Sequence, residues 1–163
     1  MKAGSIARFG LLTAIALLIG YVEYLIPLFP ALPGIKLGLS NAVLLFALYF
    51  IDRRSAWILM LAKVALSGLL FSGLFSALYS LIGGALSMLA MVCAQRINGI
   101  SVIGVSVCGA LAHNIGQCLV ACFLVNYQAV LPLLPILLFA AAVAGIITGI
   151  VAKLTLQAFH HSK

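Results

Sequence analysis

Acidic side chains are nearly missing from this chain: Glu23 and Asp52 are the two carboxylate side chains among 163 residues. That scarcity excludes chemistry built on paired carboxylates. Charged residues of both signs make up only 7% of the sequence, too few to coat a soluble domain. Cysteine occurs four times, at 93, 108, 118 and 122, and never as a C-x-x-C pair. Neither a redox motif nor a disulfide framework is expected, since free cysteine in apolar segments behaves as a small hydrophobe. Cys118 and Cys122 share a helix face near His113, but no carboxylate or second histidine stands at ligand spacing, so no metal site is expected. A Ser/His/Asp set, a Walker motif and a phosphate-cradling glycine loop are also lacking, and with them any expected catalytic residue or cofactor.

What is there is apolar from end to end, with a hydrophobic fraction of 66%. A spanning helix needs about 20 apolar residues, and six of them would use most of the chain. The sequence therefore predicts an all-α, polytopic membrane protein: a single domain, 1–163, of six transmembrane helices. The spans fall at about 6–28, 36–51, 55–71, 75–95, 101–125 and 132–157, from the apolar-run length that crossing requires. Proline-rich residues 27–34 form an outer loop, because proline removes amide donors and stops a helix. An outer turn is expected near Ser72-Gly73, an inner loop at 96–99, and the last outer loop at 126–131. The first apolar run continues past Tyr21, which favours a span over a signal peptide.

The basic residues set the orientation. Lys2, Arg8, Arg53, Arg54, Arg96, Lys153 and Lys163 all fall on one side of a six-span bundle, which places both termini in the cytoplasm. The net charge of +7 is scattered singly at helix ends, facing anionic lipid headgroups rather than nucleic acid. Lys63, two turns into helix 3, is expected to snorkel to the inner interface.

Polar groups inside the spans collect toward the outer side. Glu23 lies about one turn from the outer end of helix 1, Lys36 opens helix 2, and Ser40 and Asn41 follow a turn later. His113, Asn114 and Gln117 occupy helix 5, with His113 and Gln117 on one face. Polar groups in a bilayer normally face the protein interior. These seven form a candidate small-molecule pocket, in which Lys36 offers positive charge and the amides of Asn114 and Gln117 donate and accept hydrogen bonds. The competing reading is an internal network, with Glu23 paired to Lys36 and the helix 5 residues tying helices together. Tyr79 and Ser80 could line the pocket from helix 4, although an interfacial tyrosine also explains Tyr79. On helix 1, Gly10 and Ala14 make a small-xxx-small pair that suits either a partner helix or packing within the bundle.

Three stretches, VEYLIPLFPALPGIKLGLSNAVLLFALYF, SGLLFSGLFSALYSLIGGALSMLAM and IGVSVCGALAHNIGQ, resemble the bacterial Gx transporter family, also labelled heptaprenyl diphosphate synthase component I. The segments P-x-L-P-G-x-K-L-G-L-S-N and A-H-N-x-x-Q carry the resemblance. That family is similar in turn to the substrate-binding S components of energy-coupling factor transporters. The resemblance implies a bacterial cytoplasmic-membrane subunit that captures a small molecule outside and works with a transmembrane scaffold subunit and ATPases. S components often carry A-x-x-x-A on helix 1, whereas here the nearest match is Gly10 to Ala14. The synthase label implies magnesium held by aspartate-rich clusters, which one aspartate and one glutamate cannot build. Uptake of a small molecule is therefore the expected function; the alternative is a membrane anchor or lipid- or quinone-binding partner in a prenyl-lipid or redox system.

Overall fold

A computed structural model describes residues 3–26, 36 and 38–161. Among them every regular element is helical. Helix α1 spans Ala3–Leu25, α2 Asn41–Phe50 and α3 Arg53–Ser67. A π-helical turn at Gly68–Ser72 leads into α4, Gly73–Ala94, and α5 covers Val102–Ala121. A second π-helical turn (Cys122–Asn126), the short α6 (Tyr127–Val130) and a 3-10 turn (Leu131–Leu133) carry the chain into α7, Leu134–His161. The proline-rich loop expected at 27–34 lies outside the described residues, as do Lys2 and Lys163.

Four helical stretches are long and apolar enough to cross a membrane: Ile6–Leu25, Arg53–Ala94, Val102–Leu124 and Leu131–Ala158. Large apolar side chains stand exposed along them, among them Leu11 and Leu18 on α1 and Phe139 and Ile147 on α7. Lipid tails are as apolar as leucine, so such faces need no protein cover. The chain is thus a multi-pass helical membrane protein.

The stretch from Arg53 to Ala94 is a hairpin. In one straight helix Met60 and Gly84 would stand about 36 Å apart. Instead the Met60 sulfur lies 3.1 Å from the point a Cβ on Gly84 would occupy. Reversal happens at Gly73, whose φ of +74° suits only glycine without strain, and the Ser72 hydroxyl donates to the Ser67 carbonyl at 3.1 Å. This is the turn expected from the sequence.

Two expectations need correction. Helix 2 was expected over about 36–51, yet α2 starts at Asn41. Gly38 adopts φ +80° and breaks the helical path, leaving Lys36 ahead of α2 rather than in its first turn. With 10 residues, α2 is about 15 Å long against a hydrocarbon core of about 30 Å. Residues 126–131, expected as an outer loop, are wound into α6 and its flanking tight turns.

Helix α5 is the central rod. A Cβ added to Gly116 would lie 2.8 Å from the Gly83 Cα of α4, while Cβ atoms on Gly145 and Gly149 of α7 would lie 2.8 Å from the Cα atoms of Val107 and Ile103. Small residues thus let α4 and α7 press their backbones against opposite parts of α5. Leu44, Leu45, Leu59, Met60, Met88, Met91 and Val105 fill the buried core where α2 and α3 join them.

Side-chain caps start two of the helices at the basic end. Asp52 accepts from the Ser55 amide at 2.8 Å and its hydroxyl at 2.9 Å; Ser101 accepts from the Gly104 amide at 3.1 Å. The Ser55 bonds hold the Asp52 carboxyl below its ordinary value of 3.8, so this contribution is present above that pH and fades as pH falls through the lowered value. Asp52→Ala should cost about 1 kcal/mol at neutral pH, and the gap in melting temperature should narrow in acid. Gly116→Ala should destabilise by roughly 1–3 kcal/mol through overpacking, whereas Gly10→Ala, with open space around it, should be neutral or slightly stabilising. Thermal melts in one detergent check all three.

Candidate functional site

The carboxylate of Glu23, near the end of α1, is bound by backbone. One oxygen accepts from the amides of Gly38 at 2.7 Å and Leu39 at 2.9 Å; the other accepts from the Ser40 amide and hydroxyl, each at 3.3 Å. The amides ahead of α2 have no helical partner of their own, and an ionised acceptor strengthens each bond. Glu23 therefore anchors the entry of α2 to α1. The alternative reading, that Glu23 serves chiefly as the partner of Lys36, is not how its oxygens are used.

Lys36 is placed from two sides. Its backbone amide donates to Gln117 Oε1 at 3.1 Å. Its ammonium lies 5.8 Å from the Tyr24 ring centre and 5.9 Å from that of Phe71, within cation–π range. Phe71 packs edge-on to Tyr21, with ring centres 5.2 Å apart, so α1 and the turn after α3 frame one wall together.

Below this wall is a polar hollow bounded by Glu23, Lys36, Ser40, Lys63, Ser67, Ser80 and His113, with Ala16, Gly20 and Gly38 completing it. Its free volume is about 10 Å³, room for one water. Glycine at 38 matters here, because a Cβ would come within 2.9 Å of the His113 ring. Asn41 sits beside the hollow, and its Oδ1 accepts from the Lys63 ammonium at 3.2 Å.

Lys63 corrects an expectation. It does not snorkel to the basic end; it is 8% exposed and faces the hollow. Ten residues along α3 put it about 15 Å from Arg53, out of reach of that interface. The apolar spacing, which places the start of helix 2 at Lys36, hides this: α2 begins later, so its first residue, Asn41, stands level with Lys63 on antiparallel α3.

Four of the seven expected residues line the hollow itself: Glu23, Lys36, Ser40 and His113. Asn41 and Gln117 adjoin it through the bonds to Lys63 and Lys36. Asn114 is fully buried on another face of α5 and donates to the Ala110 carbonyl at 3.3 Å. Ser80 lines the hollow, whereas Tyr79 is buried among Cys118, Ala121, Val130 and Leu137. Gln117 Nε2, Asn41 Nδ2 and Asn114 Oδ1 are buried without a hydrogen-bond partner among the described residues. Open amide groups at that depth leave hydrogen-bonding capacity for a guest or a water.

A second hollow of about 10 Å³ lies deeper, bounded by Asn41, Ser87, Ser106, Gly109 and Thr148 among others. Ser106 and Thr148 share a hydrogen bond of 2.9 Å. On α1, Gly10 and Ala14 are both exposed, and the space over Gly10 is open. All four cysteines are free, and no metal-sized group of His, Cys, Asp or Glu occurs among the described residues.

An apolar helical bundle with a buried polar hollow near one end defines the class: a multi-pass helical membrane protein. The chain belongs to the family described as heptaprenyl diphosphate synthase component I, which it matches over residues 12–155. No curated protein and no solved structure gives a match.

Glu23→Leu removes the acceptor for three amides and should destabilise by roughly 2–4 kcal/mol, at the level of charged hydrogen bonds lost in part-buried surroundings. Glu23→Gln, which keeps one acceptor oxygen, should cost less. Melting curves of the two variants check the order.

Proposed function

We propose that this protein is the ligand-capturing membrane subunit of an uptake system, similar in role to an S component, and that it takes a small molecule from the outer side of the bacterial cytoplasmic membrane. The observation that carries this reading is the hollow itself: ionisable and hydroxyl side chains from α1, the entry to α2, α3, α4 and α5 converge inside an otherwise apolar bundle. Such groups are costly in a membrane and are normally kept for function. Glu23, Lys36, Ser40, Asn41, His113, Asn114 and Gln117 form the proposed binding set. Glu23 orients the segment that carries Lys36, and Gln117 holds that segment against α5.

In this reading the chain is one six-span unit with both termini inside, and α2 reaches only part of the way across the bilayer. Arg53, Arg54 and Arg96 mark the cytoplasmic end. The free Gly10–Ala14 face of α1 is the proposed contact with a transmembrane scaffold subunit, with ATPases as the further partners. A role within a multi-subunit assembly agrees with the word component in the family description. We read the subunit as non-catalytic, because two carboxylates at opposite ends cannot gather a magnesium–pyrophosphate site.

Mass spectrometry of small molecules retained through purification tests the reading. A water-soluble nutrient is the expected result, and a quinone or prenyl lipid would contradict it. Lys36→Ala and Gln117→Leu should each weaken binding of that molecule by about 10- to 100-fold, the worth of a charge-assisted hydrogen bond, with the bundle still folded. Unchanged affinity in both variants would remove the proposed pocket.

A further inference from the structure

The charges around the hollow do not balance. Lys36 and Lys63 face it with one carboxylate, Glu23, whose oxygens are already engaged by the amides of residues 38–40. The Lys63 ammonium has one hydrogen-bond partner among the described residues, the neutral Asn41 Oδ1, and it shares the single negative charge of Glu23 with Lys36. A buried ammonium normally lies against an anion or several acceptors. This chain cannot provide the missing anion from a side chain. Its only other carboxylate, Asp52, caps α3 at the basic end and is bonded to Ser55.

We infer that the hollow receives an anionic oxygen group, a carboxylate or a phosphate, and that Lys63 is the side chain that binds it. This inference rests on the reading of the hollow as a ligand site and adds the chemical class of the ligand. The surroundings fit the assignment. Ser67 and Ser80 bring hydroxyl donors to the same space, and Lys36 supplies a second ammonium from above. The present free volume of about 10 Å³ admits a water. An anionic group displaces that water and draws the two flexible lysine chains around it, while the rest of the ligand extends toward Tyr24 and Phe71.

The same chemistry could arrive as a solute or as a lipid headgroup, so the test separates them. The full chain is melted in phosphatidylcholine nanodiscs with inorganic phosphate, succinate, choline or glycerol, and again in nanodiscs containing phosphatidylglycerol. Phosphate or succinate should raise the melting temperature by about 3–6 °C at ten times its dissociation constant. Lys63→Met should abolish the rise and Lys63→Arg should keep it. Without added anion, Lys63→Met should melt no lower than wild type, because the unbalanced charge is gone. If that variant does not fold, Lys63→Gln and Lys36→Met supply the comparison.

Stabilisation by phosphatidylglycerol alone, lost with Lys63, would support the anion site and overturn the uptake reading. Stabilisation by choline or glycerol but by no anion would overturn the anion inference and leave the uptake reading standing. An anion response that is equal in wild type and Lys63→Met, or no anion response at all, overturns the role given to Lys63.

Discussion

The contact between the Glu23 carboxylate and the amides of residues 38–40 is the interaction on which the rest depends. It fixes where α2 begins, and therefore how far α2 reaches. A shorter α2 brings Asn41 level with Lys63 instead of letting Lys36 occupy that place. The same clamp sets Gly38 against the His113 ring and delivers Lys36 to Gln117 and the aromatic wall. One carboxylate thus organises two lysines without being consumed as the sole partner of either.

Around this clamp the helices pack at two distances. Glycines bring α4, α5 and α7 to backbone contact, which fixes the positions of His113, Gln117 and Ser80. Helix α1 is different: its exposed side faces outward, and Gly10 meets no neighbour. The hollow therefore lies between this close-packed wall and α1, which packs Phe9, Leu12, Ala16 and Ile19 against the core and is bonded to the entry of α2 through Glu23. The open space over Gly10 is where the proposed uptake role puts a partner helix.

Much of the helical order was legible because uninterrupted apolar runs admit little else. Gly73 announced the hairpin reversal, and Arg53 and Arg54 announced the turn between α2 and α3. The start of α2 was harder to see, since Lys36 and Leu39 read as helix until a distant carboxylate captures the intervening amides. Lys63 was misread for a related reason. Its local pattern suits snorkelling, and only the true length of α2 shows that its neighbours are Asn41 and the hollow. Asn114 stands apart from the hollow's lining, because one residue from His113 is a 100° turn on a helix and its amide donates to the Ala110 carbonyl. His113 and Gln117 were legible because their spacing of four puts them on one face.

The central proposal is that this hollow receives its guest from the outer side and is positively charged. The most direct measurement places a thiol in it: Ser80→Cys in a chain whose four native cysteines are alanine, reconstituted in vesicles. Two membrane-impermeant thiosulfonates of similar size, one carrying a sulfonate and one a quaternary ammonium, are applied from the outer side. The account predicts that the sulfonate reagent modifies residue 80 at least about tenfold faster, equivalent to about 1.4 kcal/mol of charge preference. Equal rates, a faster cationic reagent, or no modification by either would contradict it.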